Sequence, residues 1–247
     1  MIQLVLFLIT LAFVSVLGYV AYYLIIGRDI KKGKGFYKAA AKNKNTTVTA
    51  IKKDLNVLFA NLEKAIYEYY GIDVKIVVSA VALGAGSLNA NAAIPSRILV
   101  TPNWVEKIFD ENPAWMVAFV HTIGHETGHK REKIRGRYGL TRGVKAINWV
   151  RESNCDFCGV EFACRYLGVS RAEVVAAAKM KAETISENNA NYIKGGFTHP
   201  SWELRIDLLE TFEKFDEEVT SQIKNEANPI FRKEIDKKTQ AIVKVQL

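Results

Sequence analysis

Apolar positions recur along this chain with recognisable periods, except in one stretch where nearly every residue is apolar. Residues 2–26 read IQLVLFLITLAFVSVLGYVAYYLII without a single charge. As a helix they would extend about 37 Å, enough to cross a hydrocarbon layer of roughly 30 Å. Residues 50–70 then place Ile51, Leu55, Leu58, Phe59, Leu62, Ile66 and Tyr69 at helical spacing and stop at Gly71. The β-branched run 72–80 (IDVKIVVSA) predicts a strand, and 98–101 (ILVT) a second, across the looser segment 84–97. A short helix is predicted over 104–109. A longer one opens with Asn112 as cap and Pro113 in its first turn and runs through Lys130. Beyond a basic loop at 131–138, helical periods return over 141–166, 171–188 and 201–225, and the tail 228–247 is poor in apolar residues until AIVKVQL.

These elements predict an α+β, mostly helical domain with a small β-sheet, preceded by one transmembrane helix. The expected organisation is an anchor at 1–27, a basic juxtamembrane linker at 28–49, one folded domain at 50–227 and a tail at 228–247. No internal repeat interrupts it, and the sequence carries no signature of an oligomeric state.

Charge sharpens this picture. The net charge is +8, and between residues 28 and 53 every charge but Asp29 is basic. Next to an apolar span such a run is drawn to anionic lipid headgroups, and no basic motif interleaved with aromatic residues points to nucleic acid. Arg28, Lys31, Lys32 and Lys34 follow the span while nothing charged but the terminal amine precedes it, so the positive-inside rule sets the domain in the cytoplasm. A cleaved signal peptide would open with a basic segment and carry a shorter apolar core. The three cysteines, Cys155, Cys158 and Cys164, lie in one helical stretch and read as free thiols of a reducing compartment. Cys155 and Cys158 have half a zinc-knuckle spacing, without a second pair.

The chemistry lies in His125-Glu126-Thr127-Gly128-His129. Positions four apart on a helix share a face about 6 Å apart along the axis, so both imidazoles can reach one Zn2+ ion, and Glu126 can take a proton from an attacking water. His121 lies on the same face, but Thr122 stands where a second motif would need glutamate, so it is expected to pack nearby rather than ligate. A catalytic zinc needs a third protein ligand. The next helix offers Glu152 and Asp156 one turn apart, so that one carboxylate can bind the metal while the other orients a ligand histidine. The alternatives are a catalytically silent zinc-binding membrane scaffold and a soluble basic peptidase acting on DNA-bound proteins.

Three segments in order, HETGH at 125–129, ESNCD at 152–156 and THPSWELRI at 198–206, together with NAAIPSRILVT at 91–101, resemble one family. It is that of the membrane metallopeptidases that include the HtpX heat-shock proteases and the CaaX prenyl endopeptidases. The resemblance covers about residues 55–210. It implies a gluzincin (zincin-like) fold, one zinc ion, and endopeptidase activity on membrane or misfolded proteins. By motif it implies His125, His129 and Glu152 as ligands, Glu126 as general base and Asp156 behind a ligand histidine. His199 and Arg205 would approach from the later helix, to stabilise an oxyanion or to serve structure alone, His199 in the turn before Pro200 and Arg205 paired with Glu203 or Asp207. An extended substrate is expected to pair with the sheet edge near 91–101. The chain departs from the family in lacking paired glycines in that strand, in Cys155 where alanine is usual, and in showing one span instead of several.

Overall fold

In the computed structural model the described residues are 14, 15, 17, 34–79, 88–92, 95–134, 145–188, 195–196 and 198–227. The expected membrane span falls outside them save for Val14, Ser15 and Leu17, which are helical, with Val14 and Leu17 exposed. Among the described residues no helix is long and apolar enough to cross a membrane. Residues 135–144, which include half of the expected basic loop, and the expected tail at 228–247 also lie outside them.

The fold is mostly helical with one small sheet. Helix α1 (Lys34–Asn43) occupies part of the expected linker. Its lysines are spaced so that Tyr37, Ala40 and Ala41 share a face, and these three join the core, so this stretch belongs to the folded domain. Helix α2 (Val48–Tyr70) begins where the Thr47 side chain accepts from the Ala50 N–H, and it ends at Gly71, whose φ of +67° only glycine adopts without strain. Its buried residues are Ile51, Leu55, Phe59, Leu62, Ala65 and Ile66, six positions on the apolar stripe.

Three strands form the sheet, in the order β1 (Lys75–Val78), β3 (Arg97–Val100), β2 (Ala90–Asn91). The β1 strand pairs with β3 in parallel, with Ile76 opposite Ile98, and β2 pairs antiparallel, with Asn91 opposite Leu99. The segment expected to be loose therefore holds the edge strand, while the strand expected to form the edge lies in the middle. Both expected strands are present, the first trimmed at both ends and the second shifted one residue towards the N-terminus.

Helix α3 (Asn103–Ile108) leads into α4 (Ala114–Ile134), which runs four residues further than expected and takes in half of the predicted basic loop. All residues of α4 from 118 to 128 are buried. One side seats Phe119 against Trp104 and Phe59, with ring centroids 5.3 and 6.1 Å apart. The other side meets α5 (Lys145–Leu167), and there the two backbones approach closely. A β-carbon on Gly124 would lie 2.9 Å from the Gly159 Cα and 2.7 Å from the Phe162 Cβ, and one on Gly159 would lie 2.7 Å from the His121 carbonyl oxygen. Two glycines thus set the spacing of the helices that carry the motifs.

Helix α6 (Arg171–Asn188) packs on α4, and the single helix expected over 201–225 is two, α7 (Trp202–Thr211) and α8 (Glu217–Glu226). The break has a local cause. Arg171 donates to the carbonyls of Leu209 and Phe212, and Asp216 caps the new helix by accepting from the Glu218 and Val219 N–H groups.

Candidate metal centre

His125 and His129 face α5 from adjacent turns of α4, with ring centroids 4.9 Å apart and planes at 82°. Glu152 lies opposite on α5. Its Oε2 is 3.3 Å from His125 Nε2 and its Oε1 is 3.4 Å from His129 Nε2. Ligand atoms of these three residues all lie within 4.8 Å of one another. Glu152 is buried, yet its Oε2 has no aligned hydrogen-bond partner, although His125 Nε2 and His199 Nε2 each lie 3.3 Å away. Donors that converge on a common point without satisfying one another suit a cation at that point. Tetrahedral zinc with bonds of about 2.0–2.1 Å separates its ligand atoms by roughly 3.3–3.4 Å, which matches the two imidazole-to-carboxylate distances. The donor set therefore fits zinc. Burial disfavours the Glu152 carboxylate, but the facing His129 and His125 outweigh it and hold its pKa well below the usual range.

Each histidine is held from behind. Asp156, one turn after Glu152, accepts from His125 Nδ1 at 2.8 Å, which leaves Nε2 free to ligate. Arg205 in turn grips Asp156 with Nε to Oδ2 at 2.7 Å and Nη2 to Oδ1 at 2.6 Å. Burial works against the Asp156 carboxylate, but the Arg205 guanidinium and then His125 keep it ionised far below its ordinary pKa. So Arg205 is not paired with Glu203 or Asp207; its partner sits 49 residues away in sequence. Sequence reasoning missed this pairing.

It also missed the support of His129. The Nδ1 of that ring is 3.3 Å from Cys155 Sγ and 3.6 Å from Glu132 Oε2. The thiol reaches Glu132 Oε1 at 3.7 Å, and Arg151 donates twice to Glu132 at 3.1 Å. Burial raises the Cys155 pKa well above the ordinary value, so the group is a thiol able to donate to the carboxylate. The one available signal was Glu132 at three residues past His129, hidden because it lay in what reads as a basic loop.

His199 comes from the segment before α7, where Gly195 takes φ +56° and Trp149 Nε1 donates to the Gly196 carbonyl. Its Nε2 is 3.3 Å from Glu152 Oε2, and Thr198 Oγ1 lies 2.8 Å from its Nδ1; the ring is half-exposed. His121 is buried, neither ring nitrogen has a hydrogen-bond partner, and burial pushes its pKa down to about 3. It is a neutral ring packed over Gly159.

A cavity of about 490 Å³ opens over this cluster. Glu126, His199, Arg205 and the edge-strand residues Ala90 and Asn91 line it together with the three donors. Glu126 is buried and stands beside the first histidine, as its place in the motif requires. No family model, no curated protein and no solved structure matches this chain.

Proposed function

We propose that this chain is a membrane-anchored, zinc-dependent endopeptidase of the zincin type. One observation carries the reading: the Nε2 atoms of His125 and His129 meet the two oxygens of the buried Glu152 carboxylate at 3.3 and 3.4 Å, in a cavity that Glu126 also lines. His125, His129 and Glu152 would hold the ion. When bound, zinc supplies Lewis-acid polarisation of a carbonyl and acidification of a water. Glu126 accepts the proton of the attacking water and returns it to the departing amine nitrogen. Asp156 keeps the proton of His125 on Nδ1, and Arg205 keeps Asp156 ionised. His199 borders the carboxylate from the open lip of the cavity, where an N–H can donate to a developing oxyanion. A substrate strand pairs with the β2 edge, so backbone contacts grip the peptide without demanding a sequence.

The anchor belongs to the same proposal. It is supported by the charge-free residues 2–26 and the basic residues that follow them, which assign the catalytic domain to the cytoplasmic face. Protein or peptide is the substrate class, with membrane lipid as neighbour and no role for nucleic acid. Against a silent zinc scaffold stands Glu126, whose buried carboxylate beside the first histidine has no use in metal binding alone.

The test is a pair of substitutions in the full chain. Glu126→Gln is expected to retain about one zinc per chain and lose cleavage of a casein substrate, while Glu152→Ala is expected to lose the zinc. Undiminished cleavage by the first variant, or full zinc occupancy in the second, refutes the proposal.

A further inference from the structure

One buried cation in the cavity has no part in the mechanism above. Lys181 is carried by α6 into the cavity wall, where its Nζ donates to Thr122 Oγ1 at 2.9 Å and lies 5.4 and 5.3 Å from the ring centroids of Trp104 and Trp202. Its side chain is almost fully buried, and among the described residues no carboxylate lies within ion-pair distance of it. Arg205, the neighbouring cation, is neutralised by its two bonds to Asp156; among the described residues Lys181 meets a hydroxyl and two ring faces. An ammonium has three protons to give, and a buried one without a counter-anion is costly unless a ligand brings the charge. Desolvation, with Arg205 next, pulls the Lys181 pKa down to about 7, while Asp156 and Glu126 oppose this from a distance.

Its location sets what it can recognise. Thr122 is one helical turn before Glu126 on the same face of α4, so the ammonium sits about 6 Å along the helix from the level of the proposed base. Residues of an extended peptide advance by roughly 3.3 Å each. A group one or two residues from the bond being cut would arrive at Lys181. The two tryptophan faces beside it are apolar, which excludes water and strengthens a charged contact.

We propose that Lys181 is a carboxylate-recognising residue of the substrate cavity, selecting peptides that carry a carboxylate one or two residues from the scissile bond. This rests on the peptidase reading of the same site. The carboxylate is either a chain terminus or an acidic side chain.

Two measurements on the full chain in detergent test it. In the first, the zinc-loaded Glu126→Gln variant is titrated with a fluorescent octapeptide of glycine, alanine, phenylalanine and leucine. The peptide is used as free acid, as amide, and as amide with one glutamate placed at each position in turn. A charged hydrogen bond in a buried site predicts that a carboxylate form binds roughly 10- to 100-fold tighter than the neutral amide, and that Lys181→Met removes the advantage. Preference for the free acid identifies a terminal carboxylate, and preference for one glutamate position identifies a side chain. Equal affinity of all forms, or an advantage that survives Lys181→Met, overturns the proposal. In the second, N-acetylglycine and its amide are titrated against zinc-free protein while tryptophan emission is followed. A saturable response to the acid alone that is absent in Lys181→Met supports the proposal even if no peptide is cut, and its absence counts against it. Cleavage without any carboxylate preference leaves the peptidase reading intact while removing this one.

Discussion

Replacing Arg205 by methionine separates a structural role for that residue from a purely catalytic one. The guanidinium and the Asp156 carboxylate are 8% and 2% exposed and share two short hydrogen bonds, and the same guanidinium lies 4.0 Å from the Trp202 ring centroid. Methionine fills much of the volume but leaves Asp156 buried with His125 as its remaining hydrogen-bond partner. Breaking a buried pair from one side costs about 3–5 kcal/mol. That is a large share of the ~5–15 kcal/mol total expected of a domain. For a domain of this length each kcal/mol lowers Tm by about 2–4 °C, so a fall of roughly 6–20 °C is expected. The assay is thermal and urea unfolding of zinc-free protein, both followed by far-UV circular dichroism, with Arg205→Met, Asp156→Asn and the double variant. The double variant should be more stable than Arg205→Met alone, because asparagine can still accept from His125 without leaving a charge behind. The pH dependence has a definite sign. The folded Asp156 pKa lies below the unfolded value of about 3.9, so its contribution is present above that pH and fades as the solution is acidified through it. In the double variant this acid-side loss should shrink. A cost below about 1 kcal/mol for Arg205→Met, with activity nevertheless lost, would refute the structural reasoning and return Arg205 to the substrate.

Three further outcomes follow from the geometry. Gly159→Ala would drive a β-carbon to 2.7 Å from the His121 carbonyl oxygen, so it should destabilise by about 1–3 kcal/mol or more and lower zinc affinity as well, both measurable by melting and chelator competition. Cys155→Ala should weaken zinc binding by less than about tenfold, because Glu132 remains 3.6 Å from His129 Nδ1 and can take over the support; a hundredfold loss would show the thiol to be indispensable. For Lys181 the folded pKa of about 7 lies below an unfolded value of about 10.4, so protonation favours unfolding. Wild-type stability should therefore rise between pH 7 and 10, by up to about 4 kcal/mol, while Lys181→Met shows no such rise in its urea midpoint.

How much of this was legible in the sequence depends on the range over which each feature is encoded. The faces of His125 and His129, and of Glu152 and Asp156, follow from helical spacing alone, and the structure brings those four residues together. Helix α2 and its stop at Gly71 were equally local. The Arg205–Asp156 pair was not, since two elements 49 residues apart meet only through tertiary packing. Strand β2 is two residues long, too short for any period, and is defined by its partner β3. Helix α1 was obscured because its lysines mask the buried face of Tyr37, Ala40 and Ala41. Glu132 was lost in the same way, between Arg131 and Lys133, where charge density suggested a loop and α4 simply continues.

The glycine contact between α4 and α5 has a consequence for how the site is loaded. Because main chain rests on main chain at Gly124 and Gly159, the gap between imidazoles and carboxylate is inherited from helix spacing and owes little to rotamer choice. Under the proposed zinc reading, such a cage would stand assembled before an ion arrives. Stripping the cation with a chelator should leave the scaffold upright, and restoring it should be quick, so occupancy would track the free metal around the protein instead of being committed once at folding.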